Sequence, residues 1–198
     1  MNTIEKLNRL NVKGRILNNE SLWVPVTISE EEVQLGIELG TLQEKESEKL
    51  GLKDRSFFGD KSDSLKRSIA AKQFEIAVSR WGGGTAKVIG INQFHDAPDV
   101  GQINCRFTFS SDYGLMITNR DQGLVPMVLG TGNCPNFFLM GWCVPDYMRQ
   151  MIYKVHQGRD EHCQSQFGFL HEMKDHEAFQ INMQLLLPMS YFNKDLVK

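Results

Sequence analysis

The pattern of hydrophobic positions changes period near residue 85, and the change divides the chain into a helical first part and a strand-rich second part. From Ser29 onward, Val33, Leu35, Ile37, Leu39 and Leu42 recur at mostly helical spacing. Ser29-Glu30-Glu31-Glu32 has the form of a capping box, with carboxylates placed to complement the helix dipole, and predicts a helix running to about Leu50. GLKDRSFFGDKSDS (51–64) reads as a polar, glycine-punctuated loop that ends in an N-cap serine or aspartate. Residues 65–81, LKRSIAAKQFEIAVSRW, predict a second helix, closed by Gly82-Gly83-Gly84. At about 100° per residue, Ala70, Ala71, Phe74, Ala77, Val78 and Trp81 form one broad stripe, and Leu65, Ile69 and Ile76 a second. Glu75 lies in the narrow gap between them, with Ser68 and, further round, Lys72. A helix apolar on two sides is largely buried, so Glu75 is expected to be half-buried and to need a partner.

After the glycines, short β-rich runs alternate with turn residues: KVIGINQF (87–94), QINCRFTF (102–109), GLMIT (114–118), VPMVLG (125–130) and NFFLMGWCV (136–144). A helix or ordered loop is expected around Asp146 to His156, NMQLLLP (182–188) reads as a last strand, and SYFNKDLVK as a terminal turn. The stretch 157–180 is rich in His, Gln and charge and has no clear period. LWVPV (22–26) is a short strand or part of an arm. The resulting expectation is an arm over 1–28 and one α+β domain over 29–198, its sheet mixed but mostly antiparallel and flanked by helices.

Length and composition narrow the class without changing that picture. A chain of 198 residues with 41% hydrophobic and 23% charged positions is one ordinary globular domain with enough apolar surface for a core. No apolar run approaches the ~20 residues of a membrane span, and no apolar N-terminal stretch has signal-peptide form, so a cytoplasmic location is expected. Cys105, Cys134, Cys143 and Cys163 are too few for a disulfide scaffold and contain no CxxC, and are expected as reduced, mostly buried thiols. A net charge of −2 excludes nucleic-acid coating by bulk charge; contact with DNA would need a local basic patch. The histidines of HEMKDH, His171 and His176, stand five apart, about 140° round a helix, not on one face as a zinc helix requires, and Cys163 beside His162 has no near partner. Solvated loop histidines are therefore preferred to a zinc site. No Walker A loop, GxSxG elbow or dinucleotide fingerprint occurs.

The chemistry concentrates around PDVGQINCR (98–106). Gln102, Asn104 and Arg106 alternate with Ile103, Cys105 and Phe107, with Asp99 at the entrance. With Glu75, this group offers two carboxylates, an amide oxygen and a guanidinium. Magnesium takes one or two carboxylates and completes its octahedron with water and phosphate oxygens, and a neighbouring cation can hold a transition-state oxyanion. The plainer alternative is a turn-starting Asp99 paired with Arg106, and a Glu75 that caps a pocket. Strand parity sets a condition on the metal site. In a regular strand Asp99 shares a face with Ile103 and Cys105, so a turn or bulge at Gly101 must re-aim it.

AAKQFEIAV, PDVGQINCR, VLGTGNCPNFFLMGW and LLLPMS, in that order and spacing, resemble a group of phage-encoded proteins related to the PD-(D/E)XK nuclease superfamily. The likeness runs from Val24 to about Met148 and into the tail. It implies a restriction-endonuclease-like core and a DNA endonuclease using Mg²⁺ or Mn²⁺, with Glu75 and Asp99 as metal ligands and Asn104 and Arg106 completing the site. The superfamily's acidic-x-lysine pair stands here as Asn104-Cys105-Arg106. An amide brings no charge to a metal, and arginine does not give up a proton as lysine can. That departure opens a second expectation, a non-hydrolytic nuclease-fold protein that binds DNA or inhibits a host defence protein. A pairing of two copies, as in many nucleases that cut both strands, is a further expectation.

The helix of Glu75 is also basic on its outer positions. Lys61, Lys66, Arg67, Lys72 and Arg80 stand against Asp63 and Glu75 between residues 61 and 80. Lys66, Arg67 and Lys72 are the candidate phosphate contacts, against the alternative of a solvated face.

Overall fold

The computed structural model describes residues 18–50, 61–84, 98–110, 114–118, 121, 123–148, 168–173, 176–181 and 183–197. The strand expected over 87–94 and Cys163 lie outside the described residues, as does most of the segment expected over 146–156, where only a helical turn over 145–148 is described.

Helix α1 (Glu30–Lys49) starts at the capping box. Ser29 Oγ accepts from the Glu32 amide at 3.3 Å, and Glu32 Oε2 accepts from the Ser29 amide at 2.7 Å. Helix α2 (Lys61–Gly82) begins four residues before the expected Leu65. It ends at the glycines. The Gly84 amide donates to the Ser79 carbonyl at 2.9 Å and the Gly83 amide to the Arg80 carbonyl at 3.0 Å, the two bonds of a Schellman stop. The two helices lie side by side, and Gly40 is the point of closest approach. A Cβ there would sit 2.5 Å from the Ile69 Cα. Glu32–Arg80 at 2.5 Å, and Glu44 accepting from Ser64 and Ser68 at 2.8 and 3.0 Å, tie the pair along its length.

The strands are β1 (Val24–Thr27), β2 (Asn104–Phe107), β3 (Leu115–Thr118), β4 (Met127–Asn133), β5 (Asn136–Cys143), β6 (Gly168–Met173) and β7 (His176–Ile181). Among the described residues they form two sheets. The first has the order β1-β5-β4-β2 and is antiparallel except for the β2/β4 pair; the second, β3-β7-β6, is antiparallel throughout. Strand β1 takes the strand alternative for LWVPV within the 1–28 stretch, and pairs with β5, Val24 opposite Leu139. Its Pro25 is compatible with that because β1 stands at the end of the strand order.

The first sheet is buried on both faces. On one, Phe74 of α2 packs its ring 5.8 Å from Phe107 and 6.2 Å from Phe137, in a cluster with Ile103, Cys105, Val128, Leu139 and Trp142. On the other, Met127, Leu129, Met140 and Cys143 meet Leu115, Ile117 and Ile181 of the second sheet. The α+β class thus holds, as helix, sheet, sheet in layers.

One expectation changes, and one unassigned stretch gains an element. NMQLLLP is not a strand: Met183–Leu185 is a 3-10 turn, and only Leu187 bridges the sheet, exchanging bonds of 2.8 and 2.9 Å with Trp142. Pro188 has no N–H to continue the ladder. The aperiodic 157–180 stretch contains the β6–β7 hairpin, in which Met173 pairs with His176 and His171 with Ala178. His171–Met173 and His176 of HEMKDH therefore lie in paired strands. Among the described residues no helix is long and apolar enough to cross a membrane.

Gly40→Ala forces a methyl group against backbone that cannot yield cheaply, and should cost about 1–3 kcal/mol of stability despite alanine's better helix propensity. Urea unfolding checks this; an unchanged midpoint refutes the close approach.

Candidate functional site

The site forms where α2 crosses the β2 edge of the first sheet. Among the described residues strand β2 pairs only with β4, and its Asn104 amide points inward to the Pro126 carbonyl at 2.8 Å. Amides alternate along a strand, so the Cys105 N–H points outward, away from β4. Asp99 Oδ2 accepts it at 2.7 Å. A tight turn makes this return possible. Val100 and Ile103 bridge each other at 2.9 and 3.1 Å, and Gly101 takes φ +55°, a region that favours glycine. The C-terminal 3-10 turn Lys194–Val197 backs it, the Gln102 amide donating to the Leu196 carbonyl at 2.7 Å. The parity condition is thereby met differently from a bulge. Asp99 belongs to neither face of β2; it caps the strand's rim.

Alternation then separates the strand residues. Ile103, Cys105 and Phe107 belong to the cluster under α2, which turns Asn104 and Arg106 to the other face. The Arg106 side chain wraps back over the rim. Its Nη2 meets Asp121 Oδ1 at 2.5 Å, its Nη1 donates to the Cys105 carbonyl at 3.0 Å, and Asp99 Oδ2 is 3.7 Å away. Asp121 is buried, while the arginine side chain stays 40% exposed.

Glu75 lies on α2, on the Cys105 side of the sheet, and is more buried than expected at 6% exposure. Lys72, one helical turn earlier and 8% exposed, donates to both carboxylate oxygens at 2.8 and 3.0 Å. Burial pushes the Glu75 carboxyl up to about 7, opposed by Lys72; the charge of Asp99 pushes it further up and that of Arg106 pulls it down. The Cys105 thiol is pushed well up by its burial and then by Asp99 and Glu75, which leaves it a packed thiol without nucleophilic character. Burial and then the Asp121 charge push the Cys143 thiol up in the same sense.

Glu75, Asp99 and Arg106 thus share one electrostatic neighbourhood, and Asn104 stands apart from it on the far face. With a period of two, Asn104 cannot share a face with Cys105, and it starts from the same face as Arg106. No family model matches the chain, and neither does any curated protein or solved structure.

Two participants have places that the sequence does not announce. Lys72, a candidate phosphate contact, is instead the counterion of Glu75; the i,i+3 spacing carries that signal. Asp121, fifteen positions from Arg106, leaves no local trace. The basic run on α2 is correspondingly reduced as a surface: Lys72 is buried, Arg80 pairs with Glu32, and Lys66 lies 4.0 Å from Asp63. Among the described residues no cluster of three His, Cys, Asp or Glu gathers as a metal site.

An acid that holds its proton more tightly in the folded chain than in the unfolded one loses stability as it ionises. The contribution of Glu75 should therefore fall as pH rises from 4.5 towards about 7. A ¹³C-detected titration of its carboxyl should show a midpoint near 7, moving down in Asp99→Asn; a midpoint indifferent to Asp99 would separate the two acids. Arg106→Ala removes a guanidinium from the buried Asp121 and should lower stability by roughly 1–3 kcal/mol. Urea unfolding of Arg106→Ala beside Asp121→Asn and the double variant reads it, and additive losses would mean the two groups do not interact.

Proposed function

We propose that the chain is a metal-dependent deoxyribonuclease with a restriction-endonuclease-like core, in which Glu75 and Asp99 hold Mg²⁺ or Mn²⁺ and Arg106 faces the scissile phosphate. The observation that carries this reading is the meeting of α2 with the β2 rim, where Asp99 caps the Cys105 N–H and Arg106 lies 3.7 Å from that carboxylate. Glu75 on α2 lies in the field of both, its carboxyl raised to about 7 by burial, lowered by Lys72, raised by Asp99 and lowered by Arg106. The ion, when bound, supplies an activated water and neutralises charge on the attacked phosphate. The chain's own residues do the rest. Glu75 is fixed by the rigid, buried helix. Asp99 is aimed by the turn at Gly101 and by the Cys105 N–H. Arg106 is held between Asp121 and the Cys105 carbonyl, with its outer side open to solvent and to an incoming phosphate.

The layered α+β arrangement, with an acid-bearing helix on a mixed sheet, is compatible with that core. Asn104 has no part in this reading. DNA would be engaged locally, since neither the net charge of −2 nor the remaining basic surface of α2 supports broad coating.

A second reading is favoured by a specific observation. Both acids already carry protein partners, Lys72 on Glu75 and the Cys105 N–H with Arg106 on Asp99. A site neutralised from within is what a nuclease-fold protein that binds DNA or a host protein without turnover would keep.

Incubation with plasmid and linear DNA separates the two. The nuclease requires Mg²⁺- or Mn²⁺-dependent cleavage that falls at least ~100-fold in Asp99→Ala. Cleavage that survives that substitution rejects the assignment. DNA retention without turnover or metal uptake establishes the second reading.

A further inference from the structure

The turn that aims Asp99 is gripped from behind by a segment that belongs to neither sheet. Leu187 is fastened to β5 by its two bonds with Trp142, and Trp142 Nε1 donates to the next carbonyl, that of Pro188, at 3.2 Å. The Phe192 ring then lies between two tryptophans, edge-on to Trp142 at 5.1 Å and 5.7 Å from Trp81 near the end of α2. Lys194 Nζ stands 4.6 Å over the Trp81 ring. Two residues later the segment reaches the site turn, where the Leu196 carbonyl accepts from the Gln102 amide at 2.7 Å. Val197, 3% exposed, is wedged between that turn and the α2 stop. Two glycines make its room. A Cβ on Gly82 would fall on the Val197 side chain itself, and a Cβ on Gly101 would lie 2.5 Å from the Leu196 carbonyl oxygen and 2.8 Å from the Val197 carbonyl carbon. The β2–β4 ladder begins at Asn104, after the turn, and so does not aim Asp99. The bonds between Val100 and Ile103 give the turn its shape but no direction. Val197 touches both α2 and the turn, and in a close-packed interior its bulk sets how the two stand to each other.

We infer that Val197 is a positioning residue for Asp99, and that the segment 187–197 is a strap that holds the acid on the Cys105 N–H. This takes from the reading above only that Asp99 belongs to the site; it concerns where the carboxylate stands and not what it does. With the strap seated, Asp99 caps the Cys105 N–H and lies 3.7 Å from Arg106. When it lifts, the Gln102 amide loses the Leu196 carbonyl, the turn is free to swing, and the Cys105 N–H is uncapped. Local opening at the slot between the two tryptophans is thereby coupled to the carboxylate at the sheet's rim.

Amide hydrogen exchange on the full chain, with neither DNA nor metal added, tests this. The Asn104 amide, bonded to Pro126 on the inner side of the same strand, is the reference for any loss of stability as a whole. In Val197→Ala the Cys105 amide should exchange at least ~10-fold faster relative to that reference, the size expected from two buried methyl groups. Gly82→Ala, which displaces the wedge from the helix side, should move the same ratio in the same direction. Val197→Thr, of the same shape, should keep the wild-type ratio. In an Asp99→Ala background, which has no cap to lose, Val197→Ala should leave the ratio unchanged. An unchanged ratio in both folded alanine variants overturns the inference, as does a Val197→Thr ratio equal to that of Val197→Ala. Should both alanine variants unfold, the segment holds the fold as a whole and not Asp99, and the inference falls equally. The ratio is read whether or not the chain cuts DNA, so an inactive wild type retires the nuclease and leaves the strap.

Discussion

A carboxylate held between a helix and a sheet must have a positive charge within reach, because burying it alone is more expensive than almost any other single feature of a fold. Much of this molecule's central arrangement answers that demand for Glu75. The helix that carries the acid also carries Lys72 one turn away, and the sheet edge beneath contributes a second acid and a guanidinium. On α2, Ile69 meets α1 at Gly40, Phe74, Ile76, Ala77 and Val78 pack into the cluster with Phe107 and Phe137, and Leu65 stays exposed. The charged group is consequently fixed between two packed surfaces. It cannot swing into solvent, and its charge state follows from its burial first and then from Lys72, Asp99 and Arg106 beside it.

The opposite face of the sheet has its own charged group, built on a different principle. Arg106 starts from the face of Met127 and Leu129, finds Asp121 there, and bends back across the strand to its own neighbour's carbonyl. One guanidinium therefore links the two sides of the strand. That link allows a residue pointing away from α2 to influence an acid on α2, which simple alternation would forbid. Strand β2 can serve as a junction because it ends the strand order of its sheet among the described residues; an internal strand would have had a neighbour where Asp99 and the arginine head now lie.

Much of this is legible from the order of residues. The Ser29–Glu32 capping box, the glycine stop after Trp81 and the burial of Glu75 follow from local rules, and each appears where those rules put it. Parity alone demands a turn or bulge at Gly101, and a turn stands there. Other features have no local sign. Asp121 reaches Arg106 through the fold alone, and the β6–β7 hairpin lies in a stretch whose polar and apolar positions follow neither period. LLLP looks like a strand because apolar runs look alike whether they lengthen a sheet or seal its end; the proline decides, but only once a ladder exists for it to interrupt. Lys72 stands at the right spacing for Glu75 and still reads as a surface group, since that is what a lysine in a basic run ordinarily is.

The bond from the Cys105 N–H to Asp99 has a consequence beyond the site. A bare outer strand offers its amides to any extended peptide, and that is the usual route by which β-proteins associate edge to edge and aggregate. Here the middle of β2 is occupied by a side chain that is itself anchored by a turn. A foreign strand would have to evict a carboxylate to gain one backbone bond, so among the described residues Asp99 also guards the outer side of β2.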